Sequence, residues 1–324
     1  MAARRILITG VSNVLGARLA RRLSADPEIE RVVGVDTRTP DADLAAQITF
    51  IESDVRAPEL AGVLRAAAVD TIVHNDIVQF PERDRTARNL HDINVIGTLQ
   101  LLAAADQIPT LRQLVVRSSA AIYGAQAGAP LFFTEDLASS GWPGANRTRF
   151  QRDVAELENL VATFARRHPE VTCTTLRLQP TVGTSFGSPI NGLFRAPLVL
   201  TALGFDPRVQ VLHEDDAVGA MAAAVRTPVA GAINVAGDGV VSLSHALRRV
   251  GQRALPVAPP LLGTAAGVLA RISGGRPPNE DILRYLRHGR AVDTTRMHRE
   301  LGFQPNFTTQ QAIDAVAFAA ERAA

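Results

Sequence analysis

Short, continuous apolar runs alternate along this chain with longer stretches in which apolar residues recur every three or four positions. Continuous runs suit strands buried on both faces, and the longer period suits helices with one buried stripe. The runs at residues 5–9, 31–36, 48–53, 71–74, 114–116 and 172–178 predict strands. Between them, residues 14–25, 59–68, 84–105 and 148–167 predict helices. This strand–helix alternation implies an α/β fold, a doubly wound parallel sheet with helices on both faces. After Pro180 the pattern breaks up around Gly183, Gly187, Pro189, Gly192 and Pro197. Residues 209–212, a helix at 215–226 and a strand at 232–235 then look like a return to the sheet. Further helices at 243–250, 263–272, 279–288 and 309–323 suggest a smaller lobe. We therefore expect a Rossmann-type domain over residues 1–178, rejoined by 209–236, and a smaller C-terminal lobe over most of 179–324.

The first unit carries the clearest chemistry. Strand 5–9 runs into Gly10-Val11-Ser12-Asn13-Val14-Leu15-Gly16 and then a helix. A glycine-bearing turn that opens a helix offers unpaired N–H groups to a pyrophosphate, its first glycine permitting the turn and its last allowing close packing of helix on strand. Asn13 stands where a middle glycine would let the backbone approach the ligand, and a left-handed conformation at Asn13 would preserve the turn. Asp36 ends the second strand, about twenty residues on, where an acid accepts hydrogen bonds from a ribose and repels a 2′-phosphate. That favours NAD over NADP, with Arg38 leaving a route to NADP.

Composition narrows the function. The chain has 324 residues, 46% hydrophobic and 20% charged, as in an ordinary globular protein. All 34 basic residues are arginine, so amine chemistry by a lysine is closed to it. The arginines are scattered among acids for a net charge of +2, which argues against nucleic-acid binding. No stretch is suited to spanning a membrane, since the apolar run 254–272 is broken by Pro256, Pro259 and Pro260 and carries Arg271. The lone Cys173 lies in an apolar strand, reads as a core thiol and, with no signal-peptide pattern at the N-terminus, favours a cytoplasmic setting. No metal site is expected.

Taken in order, Thr9-Gly10-x-x-Asn13-x-x-Gly16, Asp36, Asp54-Val55, His74, Asn94-x-x-Gly97, Ser118-Ser119-x-x-x-Tyr123-Gly124, Leu176-Arg177, His213-x-x-Asp216 and Val292-Asp293-Thr294 before Leu301-Gly302-Phe303-x-Pro305 resemble the extended short-chain dehydrogenase/reductase family. The resemblance is to its nucleotide-sugar epimerase/dehydratase branch, typified by UDP-glucose 4-epimerase. It extends to an actinobacterial epimerase-like subgroup through Phe133-Thr134-Glu135-Asp136, Leu212-His213-Glu214 and Asp293-Thr294-Thr295-Arg296-Met297. It implies a cofactor site at Gly10, Asn13, Val14, Leu15, Gly16, Asp36, Arg38, Asp54, Val55, Asn75, Asp76 and Asn94. It also implies a substrate-orienting serine at Ser119.

The same resemblance exposes departures. The family's Tyr-x-x-x-Lys-x-x-x-Glu frame reads Phe150, Val154 and Glu158 here, so tyrosine and lysine are gone and the glutamate remains. A tyrosine acting as base near neutrality needs its pKa lowered from about 10 to about 7, worth about 4 kcal/mol, and the family's lysine supplies much of it. Tyr123 is the remaining phenol near the expected site and the candidate acid or base beside Ser119; His74 and Asp76 are lesser candidates. Asn75-Asp76 replace the usual small residues after His74, and Asp76 brings a carboxylate toward the pyrophosphate unless an arginine offsets it. Arg177, Gln179, Asn191, Arg195 and Arg208 are candidate substrate ligands, since arginine suits bidentate phosphate contacts. The expected activity is that of an atypical NAD-dependent epimerase/dehydratase on a nucleotide sugar or related metabolite. A silent ligand-binding sensor or scaffold and a non-redox isomerase or lyase are the alternatives. Helices 84–105 and 148–167 resemble those that pair across family homodimers.

Overall fold

The structure, a computed structural model, describes residues 4–57, 59–79, 90–138, 140, 142, 147–185, 188–196, 198–272 and 278–323. Seven parallel strands form the central sheet: β1 (Arg4–Thr9), β2 (Ile29–Asp36), β3 (Thr49–Glu52), β4 (Thr71–His74), β5 (Gln113–Ser119), β6 (Thr172–Leu178) and β7 (Gly231–Val235). Their order is β7-β6-β5-β4-β1-β2-β3. The order reverses at β1, so a crevice opens beyond the carboxyl ends of β1 and β4, where open α/β sheets bind ligands.

The two faces follow the two-residue period of β1. Ile6 and Ile8 pack with Leu15, Leu19 and Leu23 of α1 (Val14–Ser24), whereas Leu7 joins the opposite layer. On that opposite face lie α2 (Leu60–Ala67), α3 (Gly97–Ala105) and α4 (Arg149–Arg167), with Leu64, Leu101 and Leu157 fully buried. A short π-helical turn, Asp92–Ile96, leads into α3. Positions 84–89, the start of the expected 84–105 helix, lie outside the described residues. Helix α5 (Glu214–Arg226) packs its Met221 and Val225 into the α1 layer.

Of the two segments expected to rejoin the sheet, only β7 does so, pairing with β6. Residues 209–212 split instead into Arg208–Val209, paired with Val241–Ser242, and Leu212–His213, paired with Thr181–Val182. Gln210 causes the break: its side chain accepts from the Val292 N–H at 2.7 Å and donates to the Gly237 carbonyl, binding the lobe instead of the sheet. The lobe has its own core, in which Phe194, Val209 and Leu247 meet Tyr285 and Leu286 of α6 (Glu280–His288).

Candidate functional site

The turn after β1 is built differently from expectation. Gly10 takes the left-handed backbone (φ 65°), and Asn13 is extended (φ −83°, ψ 161°), so no left-handed strain falls on Asn13. Asn13 caps α1 instead, its Oδ1 accepting from Gly16 N at 2.9 Å and from Asn75 Nδ2 at 3.0 Å. That fixes the amide orientation and leaves Asn13 Nδ2 as a donor without a partner among the described residues. By helical geometry the N–H groups of Val14 and Leu15 also lie outside the intrahelical ladder. Gly16 is required by packing: a Cβ there would sit 2.1 Å from the Gly10 carbonyl oxygen.

Asp36 closes the turn from the β2 side. Its carboxylate accepts from Ser12 N and from Arg38 N, each at 3.0 Å, with the Arg38 guanidinium 3.9 Å away. Asp36 and Arg38 line one end of a cavity of about 230 Å³ that continues past Asn13 and Asp76 into the cleft between sheet and lobe.

Beneath the turn runs a buried hydrogen-bond chain. Asn75 N donates to Thr9 Oγ1, Thr9 Oγ1 lies 2.7 Å from His74 Nδ1, His74 Nε2 lies 2.9 Å from Thr98 Oγ1, and Thr98 donates to the Asn94 carbonyl. Because Thr98 gives its proton to Asn94, it accepts from His74 Nε2–H, and His74 Nδ1 accepts from Thr9. Burial lowers the His74 pKa to about 3, so it is neutral, and its place in this chain is structural rather than acid/base. Asn94 turns its amide to the backbone, exchanging two 2.8 Å bonds with Val78 and pinning the segment that follows β4.

Asp76 has the offsetting arginine. Arg117, near the end of β5, lines the same cavity and donates to the carbonyls of Asn75 and Ile77. Burial lowers its pKa to about 10, against the opposing field of Asp76, so it remains cationic at neutral pH. The two charges therefore offset each other beside the turn.

At the inner end, Ser119 and Phe150 meet Gln179, Asp281, Tyr285 and Arg290. Ser119 Oγ accepts from Ala121 N at 3.1 Å, which keeps its own O–H available as a donor. Arg290 is buried, with its guanidinium on the Gln179 Oε1 and Gly124 carbonyl acceptors, both neutral and both at 3.3 Å, and over the Tyr285 ring. Desolvation pulls its pKa down. Asp281 Oδ1 accepts from Thr148 Oγ1 at 2.6 Å and Gln151 Nε2 at 2.8 Å.

Several expected site residues belong elsewhere. Tyr123 is fully buried outside the cavity: its hydroxyl donates to Asn234 Oδ1 and accepts from Arg177, each at 2.8 Å, and burial raises its pKa to about 12. The phenol is therefore a structural post, not the acid or base expected beside Ser119. Arg177 is not a substrate ligand, because it forms a buried bidentate pair with Glu158 and also donates to the Glu135 carbonyl. Asn191 and Arg195 bond to the Gly183 backbone, Arg208 lies on a separate surface groove, and Asp54 is held by Arg56. Neither Asp54 nor Val55 lines the cavity that holds Asn13 and Asp36. Of the proposed substrate ligands, Gln179 alone lines it.

This cleft joins the turn after β1 and the acid that ends β2 to Ser119 and the start of α4. The family model described as NAD dependent epimerase/dehydratase family matches residues 6–236. The chain belongs to that family. An uncharacterized protein of Mycobacterium tuberculosis is 37% identical over 313 residues, 95% of this chain and 82% of its own. A 3-diazoavenalumate denitrifying reductase from a Streptomyces species is 28% identical, over 80% of this chain and 87% of its own. Among solved structures, the UDP-glucuronic acid 4-epimerase of Bacillus cereus in complex with NAD shares 17% identity at a TM-score of 0.70, covering 98% of this chain and 99% of that one, which shows the common fold.

Within the family frame, Phe150 is buried against the cavity, Val154 is buried in the core, and Glu158 survives as the partner of Arg177. Sequence reasoning missed Arg117, Asp281 and Arg290. Arg117 had one signal, a cation at the end of an apolar strand beside Ser118-Ser119. Asp281 looks like any helix-opening acid, and nothing local distinguishes Arg290.

Proposed function

We propose that the protein is an NAD-binding epimerase/dehydratase-type enzyme that reversibly oxidises an alcohol of a nucleotide sugar or related metabolite. The observation that carries this reading is the single cavity running from Asn13 and Asp36, past Ser119, to Gln179 and Arg290. The cradle fits a dinucleotide. Gly10 and Gly16 leave no room for a Cβ, so the turn stays tight, and Asn13 and Leu15 at the start of α1 line the cavity. Val14 N, Leu15 N and Asn13 Nδ2 would hold the pyrophosphate, with Asp36 on the ribose hydroxyls. Its carboxylate favours NAD over NADP.

When bound, NAD supplies the hydride acceptor. Ser119 donates to the reacting oxygen and orients it, Arg290 offers charge to an anionic substrate group, and Phe150 helps keep water from the reacting carbon. A homodimer through α3 and α4 accompanies this reading, supported by the exposure of Ile96 (37%) and Leu99 (43%). Sedimentation at micromolar concentration tests it, and a monomer there removes it.

Calorimetric titration with NAD and NADP, followed by absorbance at the reduced-nicotinamide band with UDP-glucose, tests the whole proposal. NAD binding tighter than NADP with nicotinamide reduction is expected. Binding of neither cofactor sinks the redox reading and leaves the non-redox lyase or isomerase. Phe150 and Val154 favour a second reading, a ligand-binding protein without turnover, and tight NAD binding without reaction on any sugar nucleotide would select it.

A further inference from the structure

The chain has lost the family frame's tyrosine and lysine, Tyr123 is walled off, and His74 is locked neutral within its hydrogen-bond chain. Tyr285 reaches the cavity, but its hydroxyl donates to the Gln210 carbonyl and burial raises its pKa to about 12. A reversible alcohol oxidation still requires a group that takes and returns the hydroxyl proton.

We propose that Asp281 is that group, a carboxyl from the lobe taking over acid/base work at the place where the family frame has its tyrosine. The inference rests on the reading above. Four observations on geometry support it. Asp281 lines the same cavity as Ser119 and Phe150. It is hydrogen-bonded to Thr148 and Gln151, the residues two before and one after Phe150, so the lobe carboxyl docks on the N-terminal turn of α4. Thr148 and Gln151 also lock each other in a reciprocal cap, which gives the acceptor site a fixed geometry. Both bonds fall on Oδ1, and Oδ2 has no hydrogen-bond partner among the described residues.

The charged groups around Asp281 suit the task. Desolvation raises its pKa above the ordinary carboxylate value, opposed by the bond from Thr148, the field of Arg290 and the bond from Gln151, and assisted by Glu280 on its own helix. The phenol of Tyr285 lines the cavity from the same helix, while Asp76, Arg117, Asp36 and Arg38 line its cofactor half. With NAD bound to supply the hydride acceptor, Asp281 Oδ2 would take the O–H proton of the substrate alcohol as the C–H electron pair leaves as hydride and the C–O single bond becomes C=O. In reverse the neutral acid would return that proton to the oxygen as hydride comes back to the carbon. Forward turnover therefore falls as pH drops through the Asp281 pKa, and reverse turnover falls as pH rises through it.

The test uses the full chain. NAD affinity is measured by calorimetry for the wild type, Asp281→Asn and Asp281→Glu; the Asp281 carboxyl is followed by carbon NMR on aspartate-labelled protein, its signal assigned by its loss in D281N. Turnover is read with NAD and UDP-glucose across pH. We expect D281N to bind NAD within threefold of the wild type and to lose at least ~100-fold in kcat. D281E should recover part of that activity, and the low-pH limb of kcat/KM should vanish in residual D281N turnover. The NMR signal should titrate above the usual carboxylate range and move when NAD is added. No NAD binding by the wild type overturns the functional reading and this proposal together. NAD binding with D281N turnover within threefold of wild type overturns the Asp281 role alone. If the wild type binds NAD but leaves UDP-glucose unreacted, NMR decides: a signal that NAD does not move overturns the role, and one that titrates high and responds to NAD sustains it.

Discussion

Arg177 and Arg290 are both buried arginines near a carboxylate, yet they sit in opposite electrostatic settings. Arg177 is saturated: Glu158 takes it bidentately, and Tyr123 and the Glu135 carbonyl take its other amino group. Arg290 lines the cavity with neutral acceptors, and Asp281 acts on it only through its field. The first arrangement is closed and welds β6 to α4. The second leaves positive charge for whatever enters the cleft. Burial alone does not separate a structural arginine from a binding one; the charge of its acceptors does.

The comparison breaks most visibly at its closed member. Glu158→Gln strands a buried guanidinium and is expected to cost about 3–5 kcal/mol in chemical denaturation. A loss under about 1 kcal/mol would mean the pair carries no more than a surface contact. His74 supplies a neutral counterpart to both arginines. Its folded pKa of about 3 lies below the unfolded value of about 6.5, so the unfolded chain binds the extra proton and stability falls as pH drops through that window. The slope is about 1.4 kcal/mol per pH unit, or about 3 kcal/mol between pH 6 and pH 4, and His74→Gln should flatten it. At the open member, Arg290→Gln should weaken UDP-glucose binding by about 2 kcal/mol while costing under about 1 kcal/mol of stability. If stability fell as far as in Glu158→Gln, the two arginines would belong to one class. The smallest effect belongs to the turn: Asp36→Asn should weaken NAD binding about tenfold, read by calorimetry, and narrow the gap to NADP.

These contrasts also mark what the chain itself announces. The sheet was legible because buried parallel strands need uninterrupted apolar runs, and 31–36 or 172–178 have them. The turn was legible because its glycines sit at fixed offsets along the chain, although which residue bears the left-handed backbone was not. Arg177 and Arg290 could not be told apart because Glu158, Tyr123 and Gln179 meet them only after folding. Asp281 was silent for the same reason, since an acid in the first turn of a helix is ordinary until a cavity opens beside it. Gln210 misled the strand reading because an apolar run carries no warning that one polar side chain will be claimed by the lobe.

The two tyrosines have a consequence for observing this molecule at work. Tyr123 sits behind the sheet's edge and Tyr285 in the lobe wall, both buried with pKa values of about 12 and both hydrogen-bonded through their hydroxyls. Their ultraviolet phenolate bands thus report opening of the matrix around each ring and make intrinsic optical clocks. In an alkaline jump, a lobe that swings free before the sheet loosens would colour Tyr285 first and Tyr123 later. A single phase would mean that lobe and sheet come apart as one cooperative body.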